Sequence, residues 1–187
     1  MALSSWRQTH SDADLQIVNR SGRALLAEIE AGLLDAEITA MCITEPDMVS
    51  DRLWTDSWLA ALPKGHGLAS ESALELADLA REPLAVLAPD PSSMCKRQIV
   101  EHLPTVDSPL SIAEHPTTAL ALMTWVEAGC GIGPLTATQG EGVAHPIVIL
   151  RPLRRGLPPA EIHLLRSGAP PSPLLSGRIE CLRGSRA

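Results

Sequence analysis

The side chains best suited to chemistry in this chain are hydroxyls gathered where helices should begin. Ser92 and Ser93 close the run Pro89-Asp90-Pro91-Ser92-Ser93 ahead of a helical stretch through Cys95 to His102. Thr117 and Thr118 follow Glu114-His115-Pro116 at the head of another, Thr117 to Ala128. A helix start carries backbone N–H groups without intrahelical partners and the positive end of the helix dipole, so hydroxyls there can hold a carboxylate or similar anion. Ser and Thr are also preferred N-caps. Anion contact and simple capping therefore stand side by side for all four residues.

Other chemistries have no foothold in the spacing. A GxSxG elbow, a P-loop lysine motif and a paired-carboxylate signature are all absent, so nucleophilic, phosphoryl-transfer and glycosidase mechanisms are not indicated. Cys42, Cys95, Cys130 and Cys181 form no CxxC pair and are expected to be buried free thiols. The six His residues lack HxxxH or HExxH spacing, so neither a metal nor a cofactor is expected. Gly129, Gly131 and Gly133 come after a helix and before a strand, the wrong polarity for a nucleotide-binding turn, and read as a helix cap and tight turn.

These groups need a scaffold, and 187 residues suffice for one ordinary domain or two small lobes. The hydrophobic share is 45% and the charged share 20%, values of a globular chain. With four Trp and no Phe or Tyr, the core must be aliphatic, and stacking platforms for nucleic acid are missing. Net charge is −7 and basic residues cluster only as short pairs, Lys96-Arg97 and Arg154-Arg155, so this chain should not hold DNA by itself. The first residues, Met1 to Arg7, lack the apolar run of a signal peptide, and no stretch approaches the ~20 apolar residues of a spanning helix. A cytoplasmic protein without membrane contact is the expectation.

The pattern alternates strands and helices, which predicts α/β architecture. Helical stretches are expected near Leu3 to Gln8, Gly22 to Ala31 (with Leu25, Ile29 and Leu33 on one face), Leu74 to Leu79, Cys95 to His102, Thr117 to Ala128 and Leu174 to Leu182. Strands are expected at Leu15 to Val18, Asp35 to Cys42, Trp58 to Leu62, Leu84 to Ala88, Leu110 to Ala113, Ile147 to Leu150 and Glu161 to Leu165. Leu84-Ala85-Val86-Leu87-Ala88 is continuously apolar, as in parallel strands covered on both faces.

Three segments in one order resemble the LysR-type effector-binding domain. Leu25 to Ile38 is similar to its helix-Gly-x-Leu-Asp-strand segment, Leu59 to Ala69 to its strand, proline and His-Pro-Leu-Ala turn with Gly67 in place of Pro, and Val126-Glu127-Ala128-Gly129-Cys130-Gly131-Ile132 to its Val-x-Ala-Gly-x-Gly-Ile signature. The resemblance implies two Rossmann-like lobes, as in type II periplasmic binding proteins, with a small effector in the cleft between them. Lobe I would be 1–57 plus 161–187 and lobe II 58–160. It aligns Ser21 with a helix start and Thr39, Met41 and Cys42 with a strand end, which join Ser92, Ser93, Thr117 and Thr118 as expected ligand contacts. Arg20 and Arg23 rank second, as a clamp for a carboxylate. The intact regulator would be a homodimer or homotetramer that contacts DNA only through a winged helix-turn-helix absent from this chain.

One departure from the family's pattern sharpens the expectation. The usual domain begins with a strand and half a helix ahead of the segment matched by Met1 to His10, and both are without a counterpart here. Lobe I is then either short of one strand, with Leu15 to Val18 set against Ala36 to Cys42, or completed by another chain. Two rival functions remain: a free-standing solute-binding protein, disfavoured without an export signal, and an enzyme of unrecognised type, disfavoured without a catalytic constellation.

Overall fold

Helical periodicity in Leu25 to Ile29 and alternation after Asp35 become helix α1 (Gly22–Glu30) and strand β1 (Ala36–Thr39) in the computed structural model, which describes residues 7–8, 10–11, 13–18, 22–40, 46–88, 94–103, 111–143 and 145–184. Strand β2 (Met48–Asp56) leads into β3 (Trp58–Pro63), a single 3-10 turn (Gly67–Ser70), β4 (Leu74–Glu75) and α2 (Leu76–Leu79). Then come β5 (Leu84–Ala85), α3 (Met94–His102), β6 (Ile112–Glu114), α4 (Ala119–Glu127), β7 (Gly133–Thr136), α5 (Ala137–Glu141) and β8 (Val148–Arg155). Strand β9 (Ala160–Ser167) and α6 (Pro173–Gly184) follow. The chain divides into two compact units, Met1–Thr55 with Glu161–Ala187, and Asp56–Ala160.

The second unit is built on a sheet of order β4-β8-β3-β7. Strand β3 pairs antiparallel with both β7 and β8, while β4 runs parallel to β8. A parallel bridge from Leu84 to Ile132, just ahead of β7, continues the layer to the parallel pair β5 and β6. Because side chains alternate across a strand, β3 feeds two cores. Ala60 and Leu62 pack with Leu74, Leu76, Leu79, Leu84, Ile99 and Ile132, and Ala61 packs with Leu122, Met123, Val126 and Leu135 on the other side. Each fully buried Leu or Ile contributes about 1.5–3 kcal/mol, and this two-sided burial is why Leu84 to Ala88 is apolar without alternation.

The first unit has a three-stranded sheet, β1-β9-β2, with β1 antiparallel to β9. Leu53, Leu164, Ile179 and Leu182 form its core, which draws α6 onto β2 and β9. Polar pairs do the rest of the stitching. Asp51 accepts from Arg166 Nε at 3.1 Å and Arg183 Nη2 at 3.0 Å, Ser50 Oγ lies 3.0 Å from His163 Nδ1, and Arg52 donates to Glu161 at 3.2 Å.

Several expectations need correcting. Leu15 to Val18 is not a strand: it makes no sheet pairing, Ile17 is 75% exposed, and β1 takes β9 as its partner among the described residues. Leu33 is off the buried face because α1 ends at Glu30, leaving it 79% exposed. Leu74 to Leu79 divides into the short strand β4 and one turn of helix. Strand β2 was not anticipated. Of the expected helix at Leu3 to Gln8, only Arg7 and Gln8 are described, and both are helical.

Candidate functional site

Two parallel strands of the second unit end side by side, each delivering its chain to a helix. The β5 and β6 pairing continues past the strands through Val86 N–H to Glu114 O at 3.1 Å and Ala88 N–H to Pro116 O at 3.0 Å. From Ala88 the chain goes on to α3, and from Pro116 directly through Thr117 and Thr118 into α4. The carboxyl ends of adjacent parallel strands are where α/β sheets place their ligands, because helix starts converge there.

Thr118 is the N-cap of α4, with extended φ/ψ (−136°, 156°) and Oγ1 accepting the Ala121 N–H at 3.1 Å. The cap uses only the oxygen, so the hydroxyl proton remains able to donate. Thr117 is exposed and its hydroxyl makes no hydrogen bond among the described residues. Lys96 in the first turn of α3 places Nζ 3.3 Å from Nε2 of His115, the residue after β6. The pair is exposed to solvent. The Glu114 carboxylate accepts the His115 backbone N–H at 2.9 Å.

In the first unit, Thr39 closes β1 half-buried and in register with His163 of β9. His163 is buried, held between Ser50 Oγ and, at Nε2, Glu161 Oε2 at 3.3 Å. This hydrogen-bonded chain ties β9 to β2 beneath the Thr39 end of the sheet. Arg23 is exposed on α1. Ser21, Met41, Cys42, Ser92, Ser93 and Arg20 lie outside the described residues. Of the expected contacts, the structure thus brings Thr117 and Thr118 together and leaves Thr39 and Arg23 in the other unit.

Lys96 and His115 were missed by sequence reasoning. The pair is 19 residues apart and becomes adjacent only because β5 and β6 are neighbours. The signal that could have flagged it is a lysine in the first turn of a helix, where a cation opposes the dipole.

The glycine-rich turn after α4 is a cap, as its position indicated. Gly129 has φ +72°, and Gly131 sits where a Cβ would lie 2.2 Å from Pro83 O. Cys130 is exposed rather than buried, because the turn lifts it off the end of the helix, and Cys181 is half-buried. Among the described residues no cluster of three or more His, Cys, Asp or Glu is placed to hold a metal ion, and no helix is long and apolar enough to cross a membrane.

Comparison with known proteins gives the family and the fold. The sequence matches the LysR substrate binding domain family over residues 1–187. No curated protein matches it. Among solved structures, the effector-binding domain of a BenM variant is similar at 18% identity and TM-score 0.84, with 98% of this chain and 85% of that chain covered. The BenM effector-binding domain with its effector benzoate is similar at 19% identity and TM-score 0.83, covering 98% and 83%. The reduced OxyR regulatory domain from Pseudomonas aeruginosa matches at 17% identity and TM-score 0.82, covering 97% and 88%. Against full-length BenM the match spans 61% of that chain. At such identities the likeness fixes the fold: two α/β lobes of the type II periplasmic-binding-protein kind.

Proposed function

The chain belongs to the LysR substrate-binding domain family, and on that premise we propose that it senses a small anionic metabolite by binding rather than by chemistry. The carrying observation is the pair Thr117 and Thr118, with hydroxyl protons available at the mouth of two parallel strands. A helix N-terminus and donating hydroxyls together favour an acid over a neutral or cationic ligand. The benzoate of the similar BenM domain is an acid of this kind.

In this reading Ser92 and Ser93 supply the second helix start. Ser21, Thr39, Met41 and Cys42 complete the contacts, with Arg20 and Arg23 in support. No cofactor takes part. The working protein is a cytoplasmic homodimer or homotetramer without membrane contact, and it reaches DNA through a region outside these 187 residues. Effector binding shifts the population of two arrangements of the regulator by its differential affinity for them.

A thermal-shift series with small carboxylic acids tests this. An acid at 100 times its Kd stabilises the folded chain by about 2.7 kcal/mol, and Thr117→Val combined with Thr118→Val weakens it. Stabilisation only by amines or sugars, or an acid whose affinity ignores both substitutions, overturns the proposal.

A further inference from the structure

Strand β1 has a neighbour on one side only. It pairs with β9, and the order β1-β9-β2 leaves its other edge without a strand among the described residues. In an antiparallel pair alternate residues turn their backbone groups away from the partner, so an edge strand is a template for one strand more. The side chains stop short at the same place. Ile38 stands opposite Leu164 in the β1–β9 register, and Leu164 is buried in the core with Leu53, Ile179 and Leu182, whereas Ile38, one strand further out, is 48% exposed. An apolar row thus crosses the sheet and ends at the open edge. The same unit holds a segment with the opposite lack. Leu15-Gln16-Ile17-Val18 has the apolar and β-branched content of a strand, yet it pairs with no sheet, and Ile17 and Val18 are exposed. With Leu33 and Ile38 they make up half of the exposed large hydrophobics among the described residues, all within 17–38, and apolar exposure gathered in this way marks an interaction surface.

We infer that Leu15 to Val18 of a second copy adds to the open edge of β1, and that the first copy's segment does the same in return, so that two chains associate by a reciprocal exchange of strands. The occupant is a second copy because this chain carries both halves of the contact: an edge that takes an apolar segment, and an apolar segment that has no edge. A two-fold arrangement satisfies both features on both copies at once and closes, where an unrelated partner would satisfy only one. Side chains alternate along a strand, so Leu15 and Ile17 fall on one face and extend the row that ends at Ile38. The contact is made of backbone hydrogen bonds and apolar side chains, and it uses no residue of the effector site.

Sedimentation of the intact 187-residue chain over a wide range of concentration should show a monomer–dimer equilibrium. Ile17→Lys and Ile38→Lys, both at exposed positions where the single chain keeps its fold, each weaken dimerisation about tenfold or more, because each carries an unpaired ammonium into the contact. Mixed in equal amounts, the two variants associate more strongly than either does alone, since the intact edge of Ile17→Lys receives the intact segment of Ile38→Lys and one of the two contacts is restored. Hydrogen exchange on wild type reads the pairing without a substitution: amides in Leu15 to Val18 and in Ala36 to Thr39 gain protection as concentration rises. A wild-type chain that stays monomeric overturns the inference. So does a dimer weakened by neither substitution or by only one of them, a mixture that associates no better than its components, or a dimer in which those amides gain no protection. Protection of both segments that is independent of concentration would place Leu15 to Val18 on its own chain's edge, and overturns the exchange as well. If either variant fails to fold, the hydrogen-exchange result on wild type decides alone.

Discussion

Gly131→Ala tests the backbone that holds the candidate site's sheet together. A Cβ at this position would lie 2.2 Å from the Pro83 carbonyl oxygen and 2.5 Å from Trp125 Cη2, at a φ of +150° that L-residues rarely adopt. The Trp125 ring tip can swing aside, but Pro83 O cannot, because it accepts the Ile132 N–H at 3.0 Å while Ala85 N–H donates to Ile132 O at 2.9 Å. Moving that carbonyl breaks the bridge that joins β5 to the rest of the layer. Overpacking costs about 1–3 kcal/mol and a strained backbone about another 1–3, so the loss should be about 2–6 kcal/mol. For a chain of this size each kcal/mol lowers Tm by about 2–4 °C. Thermal melts followed by circular dichroism would compare it with Gly65→Ala, where nothing lies within 4 Å and the change should stay within about 0.5 kcal/mol. Adding Trp125→Leu should not rescue Gly131→Ala, since the carbonyl clash persists. A Gly131→Ala loss below about 1 kcal/mol, or full rescue by Trp125→Leu, would refute the assignment of the clash to the backbone.

Two further substitutions probe polar contacts. Trp58→Phe removes the Nε1 hydrogen bond to Pro158 O at 2.8 Å from a buried ring and should cost about 1–3 kcal/mol, as a carbonyl loses its partner; a urea midpoint unchanged from wild type would contradict this. Asp51→Asn weakens the contacts to Arg166 and Arg183 together and should destabilise the first unit by about 1–2 kcal/mol. Part of that difference should vanish in high salt because Arg183 is half in water, and a salt-independent loss would assign the effect to packing.

The second unit was the more legible because its strands are sold to the core by apolarity alone. Leu84 to Ala88 could be read as a doubly covered strand because every one of those residues is buried. Strand β2 escaped notice for the opposite reason. Ser50, Asp51 and Arg52 interrupt any apolar alternation, and the strand is held by partners more than a hundred residues away, Glu161, His163 and Arg166. Cross-strand polar pairs stabilise a sheet as apolar ones do, yet nothing local announces them. Leu15 to Val18 is the converse: three of its four residues are apolar, but it has no pairing partner among the described residues, and apolarity does not make a strand unless an edge receives it.

The same division governs the candidate site. Thr117 and Thr118 were visible because capping chemistry is local: a hydroxyl three residues before the amide it accepts from is a sequence pattern. Lys96 and His115 were not, because their adjacency depends on which strands are neighbours, and parallel pairing leaves no mark at either residue. What sequence could register is the local conflict, a lysine against a helix dipole. A residue that opposes its own helix needs an offset from the rest of the fold, and the contact it makes here is with His115 Nε2, 3.3 Å from its Nζ.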